Sequence, residues 1–142
     1  MTAAIAAESL GPELVRLLAE NQLPTADLPV SPAHFFTARA DGHLLGLVGL
    51  EPRGDGALLR SLAVARAARG LGIGTGLVRH AERAAASANL RAVYLLTTTA
   101  GEFFAALGYE PLPRSDAPTG IASTAEFSSL CPDTSAFMYK KL

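Results

Sequence analysis

Four glycines at alternating positions are the part of the sequence best suited to bind a reactive ligand. They follow Arg69 and open a segment with helical periodicity; they are Gly70, Gly72, Gly74 and Gly76. A residue without a Cβ atom lets the backbone approach a ligand closely and adopt dihedral angles that other residues avoid. The first N–H groups of a helix have no intrahelical acceptors. The sequence therefore predicts an anion site, of the kind that binds phosphate, at the start of this helix.

The spacing around the glycines separates several kinds of phosphate site. A P-loop has a lysine after its last glycine, and Leu77 stands in that place. The dinucleotide pattern Gly-x-Gly-x-x-Gly fails from both starts, because its last position is Thr75 or Leu77. The order Arg69-x-x-Gly72-x-Gly74 instead resembles the Arg/Gln-x-x-Gly-x-Gly/Ala signature of the GNAT acetyltransferases. Glycines that only allowed a helix to pack tightly on a strand would leave Arg69 unexplained.

Two flanking stretches extend this resemblance. The predicted strand Leu62-Ala63-Val64 precedes the glycines at the family's usual distance, and residues 102–109 resemble its second conserved stretch. The resemblance implies an α/β (α+β) fold, in which helices flank a mixed, mostly antiparallel sheet. In this family two neighbouring parallel strands splay apart, and the pantetheine arm of acetyl-CoA lies in the opening.

The resemblance also implies which residues bind acetyl-CoA, the co-substrate. The main chain of Leu62, Ala63 and Val64 would pair with the pantetheine amides. The N–H of Val64 would also donate to the thioester oxygen, where negative charge grows during attack. Arg69 would place a positive charge beside the pyrophosphate. The N–H groups that would bind the pyrophosphate belong to Gly70, Leu71, Gly72, Ile73, Gly74 and Thr75.

The family's mechanism is direct attack of an amine on the thioester, so no cysteine nucleophile is required. Cys131, which precedes Pro132, is accordingly expected to be a buried structural thiol. Many family members carry a tyrosine that protonates the departing thiolate, and Phe104 stands at the matching position. Because a free thiol has a pKa of about 8.5, its thiolate is a tolerable leaving group. Water, Tyr109 or Tyr139 would then supply the proton, and the general acid is left unassigned.

Acidic residues offer several candidates for the base that deprotonates the incoming ammonium group. Glu51 ends a predicted strand and is the nearest match to the family's glutamate. The alternative is that it is a solvated carboxylate beside Pro52. Asp27, Glu102 and Glu126 are weaker candidates, since such residues are more often helix caps or surface charges.

Arg60 interrupts the apolar strand just ahead of the coenzyme-binding segment. A guanidinium that faces a cleft recognises a carboxylate at two points, so Arg60 is a candidate for binding the acceptor. The alternative places Arg60 on a solvated sheet face, with only its stem packed against the protein.

The elements that would position these residues follow from periodicity and turn signals. Asp41-Gly42 is a hairpin signal and Gly54-Asp55-Gly56 marks a further turn. From Pro113 to Pro132 the pattern is weak. The predicted helices span 12–20, 72–88 and 102–107, and the predicted strands span 35–40, 43–51, 57–64, 93–97, 109–112 and 137–140. This antiparallel meander followed by a strand–helix–strand unit indicates an α/β sandwich with a mostly antiparallel sheet. Together with the resemblance, it implies a single GNAT domain over residues 1–142.

Composition excludes several classes of function. Hydrophobic residues make up 49% and charged residues 18%, which is typical of a chain with a buried core. The net charge of −1 and the dispersed arginines argue against nucleic-acid binding. Scattered histidines and one cysteine give no metal signature. We expect no membrane segment and, since a single cysteine fits a reducing compartment, a cytoplasmic protein.

The pattern over nearly the whole chain resembles the GNAT subfamily encoded in bacterial arsenic-resistance operons. Its later stretches, 96–99 and 126–132, are also similar to amino-acid N-acetyltransferases of the N-acetylglutamate-synthase type. These resemblances imply a small amine acceptor, an amino acid or an arsenic-containing analogue, and a homodimer as a possible assembly. The alternatives are acetylation of protein amino termini or lysines, and a non-catalytic module that binds acyl-CoA, which Phe104 keeps open.

Overall fold

A seven-stranded sheet forms the centre of the protein in the computed structural model, which describes residues 3–132 and 134–142. Its spatial order is β1-β2-β3-β4-β5-β7-β6, and every neighbouring pair is antiparallel except β4 and β5. The strands are β1 (Ala4–Ala7), β2 (His34–Ala40), β3 (His43–Arg53), β4 (Gly56–Val64), β5 (Ala92–Thr97), β6 (Glu110–Pro111) and β7 (Ala136–Lys141). The predicted mixed, mostly antiparallel sheet is therefore confirmed.

Helices cover both faces of the sheet. They are α1 (Pro12–Glu20), α2 (Ile73–Ser87), α3 (Gly101–Ala106) and α4 (Thr119–Ala122). Leu47 packs with the leucines of α1, whereas its neighbour Val48 packs with α2, because successive strand residues point to opposite faces. Phe104 of α3 shares the α2 side, and Ile121 of α4 packs against Leu58 on the other side. No helix within the described ranges is long and apolar enough to cross a membrane.

Both turns predicted from the sequence are present at the predicted residues. Asp41 and Gly42 join β2 to β3 with φ angles of 52° and 78°. Gly54 and Asp55 join β3 to β4, and the φ of Gly54 is 61°. The predicted helix 72–88 begins at Ile73, because Gly72 has a φ of 81° and caps the helix from outside it. Strand β1 was missed, since the small residues Ala4–Ala7 show no alternation of apolar and polar side chains.

The parallel strands β4 and β5 stay paired for only three residues. Their register runs from Gly56 opposite Ala92 to Leu58 opposite Tyr94, and it ends there. On its other edge, β4 keeps its pairing with β3 as far as Val64. The two parallel strands therefore separate towards their carboxyl ends and leave an opening, as the fold prediction requires.

A bulge in β4 lies beside this opening. Arg60 is opposite Gly49 and Ala63 is opposite Leu47, so one residue of β3 faces two residues of β4. Ser61 takes up the extra length with a φ of 59°, which is unusual for a residue other than glycine. Such bulges bend a strand and increase its twist, and this one occurs where β4 leaves β5.

The weakly patterned segment 113–132 is ordered by local hydrogen bonds. It contains a 3₁₀ turn at Arg114–Asp116, helix α4 and a π-helical turn at Glu126–Leu130. The hydroxyl of Thr124 donates to the carbonyl of Ile121 and accepts from the N–H of Phe127. These short turns pass over the α4 side of the sheet and bring Glu126 to the edge of the opening.

We predict that Leu58→Ala lowers the free energy of unfolding by about 2–5 kcal/mol, because it leaves a void beneath Ile121 and Phe137. Urea unfolding followed by circular dichroism measures the change. Val30→Ala is the control, since Val30 is 86% exposed and its truncation should change stability by less than about 0.5 kcal/mol. Equal effects of the two substitutions would contradict the assigned core.

Candidate functional site

The glycine-rich loop before α2 owes its conformation to two residues with positive φ angles. Gly70 and Gly72 have φ angles of 80° and 81°, and a Cβ atom on either would meet nothing within 4 Å. Glycine is therefore required at these two positions by the backbone conformation and not by crowding from neighbouring atoms. Helix α2 makes its first internal hydrogen bond from Gly76 to Gly72. Within the described part of the chain, the N–H groups of residues 70–75 donate to no acceptor, so an anion would satisfy them.

Gly74 and Gly76, by contrast, face the body of the protein. A Cβ atom on Gly74 would lie 3.5 Å from the ring of Phe103, and one on Gly76 would lie 3.4 Å from Ile5. These are ordinary contact distances, so neither position demands glycine as strictly as Gly70 and Gly72 do.

Arg69 links the glycine-rich loop to its surroundings. Its Nε donates to the carbonyl of Val64 at 3.4 Å, and its Nη2 donates to Oδ1 of Asn21 at 2.9 Å. The side chain is exposed, so the positive charge stands at the surface beside the unpaired N–H groups.

The carboxyl end of β4 offers main-chain groups to the opening. The N–H of Ala65 donates to the carbonyl of Leu45 on β3, at 2.8 Å. Because main-chain groups alternate in direction along a strand, those of Val64 face away from β3 and towards the opening. Those of Ala63, opposite Leu47, face β3 by the same alternation. Of these two residues, Val64 is the one whose N–H is directed to reach a ligand in the opening.

A cavity of about 520 Å³ occupies the opening. One wall is β4 from Leu59 to Leu62, and the opposite wall is β5 from Leu95 to Thr97. Asn21 to Pro24 border the cavity from the end of α1. Other lining residues come from α3 and from the segment that follows α4, and they include Phe104, Glu126, Cys131 and Ser135.

Arg60 lies in this wall and is the centre of a buried charge cluster. Its guanidinium donates to both carboxylate oxygens of Asp27, at 2.5 and 2.8 Å, and to Oε1 of Glu51 at 3.2 Å. Its Nη2 also lies 3.1 Å from Oε2 of Glu126. We call these four residues the Arg60 cluster. The guanidinium is 0% exposed, so its charge is stabilised by carboxylates instead of water.

These contacts bear on the two roles predicted for Arg60 and Glu51. Both side chains are buried, which excludes the solvated alternatives. The Arg60 guanidinium is already paired, so direct contact with an acceptor would require these pairs to open, and that role stays a prediction. Glu51 accepts from Ser31, Arg53 and Arg60, and it does not line the cavity. Its role as base also stays a prediction.

Glu126 is the carboxylate that lines the cavity, and its surroundings favour a proton. Burial raises its pKa from 4.5 to about 7, and the charges of Asp27 and Glu51 act in the same direction, while Arg60 opposes them. A carboxyl group with a pKa near neutrality is well matched to general acid–base chemistry. Sequence reasoning ranked Glu126 below Glu51, because the weak pattern of 113–132 gives no signal that the chain returns to Arg60.

The other reactive side chains of the cavity are less suited to catalysis. Burial, followed by the charge of Glu126, raises the pKa of the Cys131 thiol to about 11, so this residue is not a ready nucleophile. Phe104 lines the cavity but donates no proton. Tyr109 donates instead to Glu82 at 2.9 Å, and burial raises its pKa. Tyr139 stacks on Tyr94. Neither tyrosine borders the cavity, and the general acid remains unassigned.

A comparison of the sequence with protein families identifies the chain. The acetyltransferase (GNAT) family matches residues 7–109, which include strands β2 to β5, the glycine-rich loop and the 102–109 stretch. The chain belongs to this family. The chain therefore has an acetyl-CoA N-acetyltransferase fold, and acetyl-CoA is the co-substrate. The opening between β4 and β5 and the loop at its mouth stay the predicted place for it.

Solved structures of other proteins share the fold. N-acetylglutamate synthase from Neisseria gonorrhoeae, complexed with coenzyme A and N-acetyl-glutamate, superposes with a TM-score of 0.84 and 21% identity. The match covers 100% of this chain but only 35% of the synthase, so the chain spans about a third of that protein. A GNAT-family acetyltransferase from Staphylococcus aureus superposes with a TM-score of 0.78 and 20% identity. The match covers 98% of this chain and 99% of the staphylococcal chain.

A third structure, the Bacillus subtilis acetyltransferase in complex with CoA, gives a TM-score of 0.71 and 16% identity, with 99% of each chain covered. No curated protein sequence matches the chain. At 16–21% identity these structures establish the fold of the chain and do not identify its acceptor. Within the described ranges, no group of three or more His, Cys, Asp or Glu side chains is placed to hold a metal ion.

The position of Glu126 predicts a pH-dependent stability. Its folded pKa of about 7 lies above its ordinary value of 4.5, so protonation of Glu126 favours the folded state. That contribution is complete below pH 4.5 and is lost as the pH rises through 7. Between pH 5 and pH 8, the stability of Glu126→Gln relative to the wild type should rise by about 2–3 kcal/mol.

Urea unfolding at the two pH values measures this difference. Glu110→Gln is the control, because Glu110 is exposed and its substitution should show no such pH dependence. A Glu126→Gln difference that is the same at both pH values would contradict the raised pKa.

Proposed function

We propose that this chain transfers an acetyl group from acetyl-CoA to the amine of a small, carboxylate-bearing acceptor by direct attack on the thioester. The observation that carries the proposal is the opening between β4 and β5. Its cavity holds the buried carboxylate of Glu126, and β4 leads from its wall to the anion-binding loop. One continuous groove would then bind the coenzyme and present its thioester to a proton acceptor.

The coenzyme is proposed to follow β4. The pyrophosphate would bind the N–H groups of residues 70–75, with Arg69 beside it, and each such charge-assisted bond contributes about 1.5–3 kcal/mol. The pantetheine arm would take the main-chain positions that β5 vacates, along residues 62–64. The N–H of Val64 faces this opening and is the proposed donor to the thioester oxygen.

The size and enclosure of the cavity favour a small acceptor. About 520 Å³ has to hold the end of the pantetheine arm as well as the acceptor, and the 113–132 segment covers one side. The gonococcal synthase in complex with N-acetyl-glutamate has the same fold. We therefore propose an amino acid or an analogue of one. Resemblance to the arsenic-resistance subfamily adds an arsenic-containing analogue to the acceptors to be tested.

Three further features belong to this proposal. The matched residues 7–109 and β7 contribute to one sheet, which supports a single acetyltransferase domain over residues 1–142. A single cysteine excludes an internal disulfide, which is typical of proteins in a reducing compartment, so we propose a cytoplasmic location. A homodimer is proposed by analogy with the family. Size-exclusion chromatography with light scattering would test the assembly.

The experiment that tests the function is thiol release from acetyl-CoA over a panel of amines. We expect kcat/KM for at least one carboxylate-bearing small amine to exceed that for peptide amino termini and lysine peptides by tenfold or more. The panel should include amino acids, arsenic-containing analogues, simple amines and peptides. Turnover of peptides alone would favour protein acetylation. Coenzyme binding without turnover of any amine would favour the non-catalytic module, a hypothesis that rests on Phe104 standing where many family members have a tyrosine.

A matched pair of substitutions tests the coenzyme loop. Gly72→Ala forces a left-handed φ of 81° on alanine and should weaken acetyl-CoA binding about tenfold. Gly76→Ala lies inside α2, where alanine is favoured by about 0.5–1 kcal/mol, and should leave affinity unchanged. Isothermal titration calorimetry measures both affinities. Equal effects on binding would show that the loop does not hold the pyrophosphate.

A further inference from the structure

Two polar side chains that line the cavity lie outside the segments proposed to bind the coenzyme. Glu126 and Ser135 come from the connection between α4 and β7, and both line the cavity. Ser135 is 6% exposed, and its hydroxyl has no hydrogen-bond partner among the residues that the structure describes. A buried hydroxyl without a partner loses the hydrogen bonds it makes in water, so a ligand that supplies one would be favoured.

The charge balance around these side chains determines which ligand fits. Asp27, Glu51 and Glu126 carry three potential negative charges, whereas Arg60 and Arg53 carry two positive ones. With Glu126 ionised, the group is therefore net negative. Glu126 is the carboxylate of this group that reaches the cavity surface, so the excess negative charge is presented to the acceptor. An ammonium group neutralises it and donates to oxygen at the same time.

We propose that Glu126 and Ser135 form the subsite for the acceptor's amine, in which Glu126 removes the proton from the ammonium group. This inference rests on the proposed acetyl transfer and adds to it the groups that bind and activate the nucleophile. Ser135 accepts a hydrogen bond from the same nitrogen and so holds the amine in the subsite. The role differs from the one predicted for Glu51, whose oxygens are engaged by Ser31, Arg53 and Arg60.

The reaction balances with these groups alone. An N–H proton of the ammonium group passes to the carboxylate of Glu126, and the nitrogen lone pair then forms a bond to the thioester carbon. The carbon–sulfur bond breaks, and its electron pair leaves with the thiolate of coenzyme A. The second proton on nitrogen leaves through water and ends on that thiolate. Glu126 returns its own proton to solvent before the next cycle.

Arg60 acts here as a positioning residue. Its guanidinium holds Asp27 at two points and lies 3.1 Å from Glu126, so it orients the carboxylate from behind. The charged and titratable groups facing Glu126 are Arg60 from β4, Asp27 from the segment after α1, Glu51 from β3 and Cys131 from the following turn. Arg60 lowers the pKa of Glu126, while Asp27 and Glu51 raise it. Weakening the arginine pairs should therefore move the acid limb of the rate profile to higher pH.

The decisive measurement is kcat/KM for the best acceptor as a function of pH. The wild type should show an acid limb near pH 7. Glu126→Gln keeps the shape of the side chain but cannot accept the proton, so kcat/KM should fall about 10²- to 10⁴-fold. For a weakly basic amine that is neutral at pH 7, such as an aniline, the same substitution should lower kcat/KM much less, because this amine needs no deprotonation before attack. Glu110→Gln is the control and should match the wild type.

Two more variants separate binding from positioning. Ser135→Ala should raise the acceptor KM about three- to tenfold with little change in kcat, as expected for the loss of one hydrogen bond. Ser129→Ala, at an exposed position of the same segment, is its control. Arg60→Lys keeps the buried charge but loses the two-point contact with Asp27, and it should shift the acid limb to higher pH. All variants should bind acetyl-CoA with wild-type affinity, which also shows that they are folded.

The outcomes distinguish this inference from the proposed function. If the wild type acetylates an amine and Glu126→Gln retains its rate and pH profile, the subsite is wrong while acetyl transfer stands. If Ser135→Ala leaves KM unchanged, the hydroxyl is not part of the subsite. A wild type that binds acetyl-CoA but acetylates no amine contradicts the proposed function, and the subsite with it.

Discussion

The buried guanidinium of Arg60 joins parts of the chain that are far apart in sequence. It pairs with Asp27 after α1, with Glu51 on β3 and with Glu126 after α4, and it does so in the wall of the cavity. Burying such a charge is tolerated only when partners surround it, and removal of a partner from a buried pair typically costs about 3–5 kcal/mol. The same contacts bring the C-terminal segment over the opening, so the shape of the cavity and the protonation of Glu126 both depend on this one side chain.

The opening itself arises from backbone geometry. Strands β4 and β5 pair for three residues and then separate, while the Ser61 bulge bends β4 and β3 continues to support its other edge. The main chain of Val64 is left facing the gap, and the loop that follows presents unpaired N–H groups at its mouth. In the proposed function, recognition of the coenzyme would thus depend on main-chain groups, which place few demands on side-chain identity. Recognition of the acceptor would depend on side chains from a segment with little sequence pattern.

Particular residues show how far the sequence could be interpreted. The turns at Asp41-Gly42 and Gly54 could be predicted because these residue types readily adopt positive φ. The glycines before α2 predicted an anion site for the same reason. Strand β1 was missed because Ala4–Ala7 becomes a strand only by pairing with β2. The surroundings of Glu126 could not be predicted for a related reason. Its raised pKa comes from burial beside Asp27 and Glu51, which are 99 and 75 positions away in the chain.

The sequence by itself determined the fold class and the family and predicted the coenzyme loop, since these depend on local periodicity, turn chemistry and a short contiguous motif. Only the tertiary structure decided that Arg60 is enclosed by carboxylates, that Glu126 and Ser135 line the cavity, and that Tyr109 lies elsewhere. The physical reason is that burial and charge pairing act between residues distant in sequence. Local sequence patterns do not show which distant residues become neighbours in the fold, whereas the pKa of a carboxylate depends on all of its neighbours.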